Sequence, residues 1–148
     1  MIAVIQRVSH SSVTVRGELI SRIDQGLMVL LGVAVDDTEK DIAYMVRKIP
    51  KLRVFSDDDD KMNLSVQDIG GQIQIVSQFT LLGDCRQGNR PSYIEAARPD
   101  KATDYYERVV AGIRQQGLEV VTGAFGESMQ VELLNSGPVT IIMDSRQK

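Results

Sequence analysis

Ser77, Gln78 and Thr80 lie within four positions of one another and bring two hydroxyls and a primary amide together. The apolar run Ile73-Gln74-Ile75-Val76 before them reads as a strand, and the glycines, arginines and proline from Gly83 to Pro91 read as a loop. Scaffolds present functional groups at such strand-to-loop junctions. A threonine without a base is a poor nucleophile at neutral pH. Serine and threonine at strand ends also hydrogen-bond to backbone, so residue type alone leaves a structural and a catalytic role open. Backbone N–H groups at a strand end can stabilise an oxyanion. A site that relies on them suits an already activated ester, which needs little acid–base help.

A second unusual stretch is Asn135-Ser136-Gly137-Pro138-Val139-Thr140, just before an apolar run. Gly-Pro is often a turn, and proline is tolerated at the start of a strand. A cis bond occurs at only about 5–6% of X-Pro positions, so the pattern alone does not favour one. Other hydrolytic chemistry has little support. The one histidine, His10, falls in an expected turn between two strands, and the one cysteine, Cys85, has no second candidate base to activate it. One of each makes no zinc site. Asp57 to Asp60 are four adjacent carboxylates that point apart and read as a solvated turn. No Walker or GxGxxG pattern supports nucleotide chemistry.

The remaining elements follow from periodicity. Ile2 to Val8, Ser11 to Val15, Leu19 to Ile23 and the wholly apolar Leu27 to Val33 read as strands. Asp36-Asp37-Thr38 offers caps for a helix with the stripe Ile42, Met45, Val46 and Ile49, limited by Pro50. Leu52 to Phe55 is a short strand. A second helix opens at Pro99-Asp100, with Asp100 as its expected cap, carries Ala102, Tyr105, Tyr106, Val109, Val110 and Ile113, and stops at Gly117 as C′ residue. Glu119 to Val121, Gln130 to Leu134 and Val139 to Met143 complete about nine strands. Many strands with two main helices predict an α/β chain in which helices cover one side of a mixed, barrel-like sheet. A length of 148 residues predicts a single domain over 1–148 with a sizeable core. One cysteine fits a reducing cytoplasm, and no signal peptide or membrane span is expected. The net charge of −3 argues against broad nonspecific nucleic-acid binding but leaves room for a local basic patch.

Taken together, the opening Met1-Ile2-Ala3-Val4-Ile5-Gln6-Arg7-Val8, Phe55-Ser56-Asp57 to Lys61-Met62-Asn63-Leu64, Ser77-Gln78-Phe79-Thr80-Leu81, Arg90-Pro91-Ser92 and Asn135 to Thr140 resemble the bacterial-type D-aminoacyl-tRNA deacylases, the D-tyrosyl-tRNA(Tyr) deacylase family. The resemblance runs over essentially the whole chain, in order. It implies a three-layer β/β/α fold, a homodimer with its active site at the interface, no cofactor and no metal. It implies hydrolysis of the ester of D-aminoacyl-tRNA, with glycyl-tRNA as a second substrate. Ser77, Gln78, Phe79 and Thr80 would line the catalytic pocket. Gly137-Pro138 of the other subunit would enter it as a Gly-cis-Pro element, with Arg7 holding that element's carbonyls and Phe125 and Met129 adding apolar surface. Such an element would hold the α-ammonium group and exclude L side chains, so that selection is by rejection. A thousandfold rejection requires about 4 kcal/mol.

For Thr80 the resemblance leaves two roles. Its hydroxyl attacks the ester, or water attacks with help from the tRNA 2′-hydroxyl; the lack of a visible base favours the second. Tyr93 stands where phenylalanine is common and Asp60 where glycine is frequent, and neither is expected to touch the site. Arg86, Arg90, Arg98 and Lys101 are candidate phosphate contacts. Two rival readings are nucleic-acid binding without catalysis, expected to draw on an added C-terminal tail, and an editing domain of a synthetase.

Overall fold

The computed structural model describes residues 1–147. Its backbone is organised on β1 (Ile2–Val15), a strand of 14 residues whose inward positions include Ala3, Ile5, Val8 and Val13. The expected turn at His10 is absent. His10 pairs with Leu134 inside a continuous ladder, and the irregularity is taken up by a register shift between Val8 and His10. The polar pair Ser9-His10 suggested a break, but the chain continues into Ser11, which is fully buried and whose hydroxyl donates to Gln74 Oε1 at 2.6 Å. A buried polar side chain with a partner fits a strand interior as well as a turn.

One edge of β1 carries β3 (Gly26–Gly32) over Ile2 to Val8 and β2 (Glu18–Ile23) over Ser11 to Val15, both antiparallel. Beyond β3 come β6 (Gln72–Ser77) and β7 (Val120–Thr122), both parallel. The other edge of β1 carries β8 (Gln130–Asp144), so the expected strands at Gln130 to Leu134 and Val139 to Met143 are one element. The short pair β4 (Phe55–Ser56) and β5 (Met62–Leu64) stands apart, giving eight strands among the described residues against about nine expected. The acidic turn between them is built by Asp57, whose carboxylate accepts the N–H groups of Asp59 and Lys61 at 2.9 and 3.0 Å and the Asn63 amide at 3.1 Å.

The sheet is mixed and curls towards a barrel, with a core on each face. On one face Leu27, Val29, Leu31, Ile73 and Ile75 pack against α1 (Glu39–Lys48) and α2 (Pro99–Arg114). On the other, Val8, Ile23 and Met28 meet Leu30, Val121, Val131 and Leu133. Two-sided cover explains why β3 is apolar throughout. Thr38 caps α1 as expected, accepting Lys40 N–H at 3.3 Å, while Asp41 accepts the Thr38 N–H at 2.8 Å in a capping box. The cap of α2 is Arg98 rather than Asp100, because Pro99 occupies the first helical position, where its fixed φ suits it. That helix ends at Gln115, two residues before Gly117, which carries the positive φ of +86°. The helices touch closely at Gly112, where a Cβ would lie 2.7 Å from Val46 Cγ2.

Candidate active site

Strand β6 positions Ser77 and Gln78. It lies between β3 and β7, and its last residue, Ser77, pairs with Leu31. Gln78 N–H extends the ladder by one bond to Leu31 O at 2.8 Å. The chain then turns into a 3-10 segment, Phe79–Leu82, ahead of the expected loop. N–H groups at the start of such a segment have no intrahelical acceptor, which leaves them for a ligand or water. Gly32 permits this turn, since a Cβ there would lie 2.9 Å from Gln78 O and 2.7 Å from Leu82 Cδ2.

Ser77, Gln78 and Phe79 line a cavity of about 540 Å³ beside the start of α2. The loop between β7 and β8 closes another side with Phe125, Gly126, Glu127 and Met129. Met129 is held in place from below: its sulfur accepts Ala124 N–H at 3.4 Å, and a Cβ on Gly123 would come within 2.6 Å of it. Behind the cavity, Tyr106 of α2 donates to Ile75 O of β6 at 2.6 Å and packs against Phe125 with ring centroids 6.1 Å apart. Burial pushes the Tyr106 hydroxyl up to about 12, so it remains a donor throughout the neutral range.

Thr80 is exposed and is not among the cavity's lining residues. Its hydroxyl accepts a hydrogen bond from the Gln78 amide. An amide N–H cannot take up a proton, so this partner does not activate Thr80 as a nucleophile. His10 and Cys85 do not line the cavity either. Among the described residues no group of three His, Cys, Asp or Glu side chains could hold a metal ion.

The other group of expected site residues, Arg7, Gly137 and Pro138, lies elsewhere in the chain. Between Gln6 and Val8, two steps along β1 face five steps along β8, from Thr140 to Asn135. The surplus residues form a bulge that carries Gly137-Pro138 outward with a cis peptide bond. The Asn135 amide closes its base by donating to the carbonyls of Arg7 and Val139, each at 3.0 Å. Arg7 braces it from beneath, with Nε donating to Ser136 O at 3.2 Å and Nη1 to Val54 O at 2.7 Å. Gly137 has a φ of +119°, and a Cβ there would lie 2.7 Å from Arg7 Nη2. Arg7, Gly137 and Pro138 therefore form one unit, and none of them lines the cavity of their own chain.

One expectation is corrected. Tyr93 does reach the site: it lines the cavity and packs edge-on against Phe79, with ring centroids 5.2 Å apart. The two rings are 40% and 54% exposed and so stand at the cavity mouth. Ala97, Pro99, Ala102 and Glu127 also line the cavity, though none of them was a candidate site residue. The start of α2 was legible at Pro99, but no spacing in the sequence links it to Ser77. Of the candidate phosphate contacts, Arg86 is engaged by Asp84 at 2.7 and 2.9 Å, and Lys101 Nζ donates to the carbonyls of Val35 and Asp37 at 2.8 and 2.7 Å. No helix among the described residues is long and apolar enough to cross a membrane.

A protein-family model described as D-Tyr-tRNA(Tyr) deacylase matches residues 4–144. Proteins named D-aminoacyl-tRNA deacylase from Geobacillus sp. (strain WCH70) and Natranaerobius thermophilus are 53% and 54% identical; each alignment covers 100% of this chain and 97% and 99% of the relative. The solved structure titled c-Myc DNA Unwinding Element Binding Protein superposes with a TM-score of 0.92 at 43% identity, covering 97% of this chain and 98% of that one. A probable eukaryotic D-amino acid tRNA deacylase shares the fold, with a TM-score of 0.82 at 17% identity over 96% of this chain and 97% of its own. On full-length identity of this order, the chain belongs to the D-Tyr-tRNA(Tyr) deacylase family.

Proposed function

We propose that the protein hydrolyses the ester between a D-amino acid and the terminal adenosine of tRNA, acting in the cytoplasm as one domain in a homodimer. The observation that carries this is the cavity at the end of β6, lined by Ser77, Gln78 and Phe79, in a chain with deacylase relatives at 53% identity. A water oxygen adds to the ester carbonyl carbon while backbone N–H groups at the Gln78–Thr80 turn stabilise the oxyanion. The C–O bond then breaks, the ribose oxygen leaves with a proton, and free D-amino acid and tRNA are released. Positioning supplies most of the acceleration for so reactive an ester.

The exposed Gly137-Pro138 bulge is assigned to the cavity of the second subunit, where its carbonyls receive the substrate's α-ammonium group and its backbone blocks an L side chain. Support comes from its isolation from its own cavity and from the outward face of β8, which exposes Leu134 and Ile142 beside it. Among the described residues the far edge of β8 has no strand partner. Unpaired edges and exposed apolar side chains invite a second chain. Glycyl-tRNA fits the same scheme, since glycine has no side chain to exclude.

The test is to incubate the purified protein with matched D- and L-aminoacyl-tRNA and follow the surviving ester. Loss of the D-ester alone is expected. Loss of neither, from a folded dimer, overturns the proposal. A second reading, DNA binding without catalysis, is favoured by the name of the structure matched at 43% identity. Binding to duplex or single-stranded DNA without D-ester hydrolysis would establish it instead.

A further inference from the structure

The cavity is mostly apolar, and its lining contains one carboxylate, Glu127. That residue sits on the β7–β8 loop among the exposed positions Gly126 to Ser128, where the cavity meets solvent. Its charge is weakly countered. The only ion pair it makes among the described residues is with Arg16 Nη1 at 3.3 Å, and the two side chains are 44% and 79% exposed. A pair so exposed is loosely held and screened, so Arg16 offsets the Glu127 charge only in part and leaves a net negative potential at the mouth. The other side chains at the mouth, Phe79 and Tyr93, are aromatic rings.

Resting on the deacylase reading, we infer that Glu127 sets a charge preference among D-aminoacyl esters, favouring cationic side chains such as D-lysyl and D-arginyl over acidic ones such as D-aspartyl. In that reading the D side chain points out of the pocket, so it must leave by the mouth, past Glu127. The steric selection for D-esters is blind to what the side chain carries beyond its first atoms, and a charge at the exit is not. A carboxylate about 6 Å from a unit charge, at an effective dielectric constant of about 40 to 80, changes rates by roughly three- to tenfold. Attraction for one substrate and repulsion for the other multiply, so the D-lysyl to D-aspartyl ratio of kcat/KM is expected to exceed one by roughly tenfold or more at low salt.

A negative rim also repels tRNA phosphates, and a simple rate for one substrate would confuse the two effects. The ratio removes the confusion when both amino acids are charged onto the same tRNA, because the phosphate contribution cancels. The experiment compares D-lysyl, D-methionyl and D-aspartyl esters of one tRNA, for the native protein, Glu127→Gln and Arg16→Gln. The ratio is expected to fall towards that of neutral control chemistry in Glu127→Gln and to rise in Arg16→Gln, which unmasks the carboxylate. It should also shrink as salt is raised, with D-methionyl turnover serving as the uncharged reference for each protein. A ratio unchanged by Glu127→Gln, with all three esters still hydrolysed, overturns this inference and leaves the deacylase reading standing. Failure of the native protein to hydrolyse any of the three overturns the deacylase reading itself.

Discussion

Replacing Thr80 with alanine separates the two chemistries open to this site. The hydroxyl accepts from the Gln78 amide and lies on an exposed turn, and nothing that could remove its proton contacts it among the described residues. If Thr80 only helps to orient Gln78, its removal costs one neutral hydrogen bond, about 0.5–1.5 kcal/mol. That corresponds to a rate loss of about 2- to 13-fold. The true cost lies towards the low end, because the freed amide of half-buried Gln78 can turn to water. If Thr80 is the nucleophile, its loss removes the covalent route, which in a hydrolase of that type costs on the order of 10⁶-fold. The two expectations differ by several decades. The assay is single-turnover hydrolysis of a D-aminoacyl-tRNA at saturating enzyme, set against spontaneous hydrolysis of the same ester. Thr80→Ala is expected to retain at least about a tenth of the native rate. A variant that is folded by circular dichroism yet hydrolyses at the spontaneous rate, with activity restored by Thr80→Ser, would refute the reasoning and make Thr80 the nucleophile.

Gly137→Ala places a Cβ 2.7 Å from an Arg7 guanidinium that is pinned by two carbonyls, at a φ of +119° that L side chains rarely adopt. The strain is about 1–3 kcal/mol, so the melting temperature is expected to fall by about 3–10 °C and D-ester hydrolysis by tenfold or more; unchanged values for both would count against the bulge as a functional unit. Tyr106→Phe leaves the buried Ile75 carbonyl without its 2.6 Å donor and is expected to cost about 1–3 kcal/mol by urea unfolding, with no change in m-value. At Asp84, the Arg86 side chain, followed by its backbone N–H, draws the carboxyl down to about 2. A depressed carboxylate adds stability above its unfolded pKa near 4, and that contribution is lost as pH falls through about 2. In Arg86→Gln an NMR titration should find the Asp84 midpoint moved up towards about 4; a midpoint that stays near 2 would assign the effect to other groups.

The alternation of Val13 and Val15, the stripes Ile42-Met45-Ile49 and Ala102 to Ile113, and the apolar β3 each carry their period in the residues themselves, so both helices and most strands were legible. The two failures of connectivity have a common physical origin. Ser9-His10 and Asn135-Ser136-Gly137-Pro138 both look like turns, yet they lie near one another in a single β1–β8 ladder that absorbs them as register shifts. A local pattern contains the polar residues but not the partners that satisfy them. Gln74, which takes the Ser11 hydroxyl, is 63 positions away, and Arg7, which braces Ser136, is 129 away. Tyr93 was misjudged for the same reason, since its contact with Phe79 runs through the folded 83–92 loop rather than through any spacing. The candidate site follows this logic one level up. Ser77 to Phe79 face a cavity whose own chain leaves Gly137-Pro138 on another surface, pointing outward on a braced bulge. A feature held that firmly and directed away from its own fold makes sense when its counterpart belongs to another molecule. In the proposed homodimer each copy would supply the bulge for one cavity and the cavity for the other bulge.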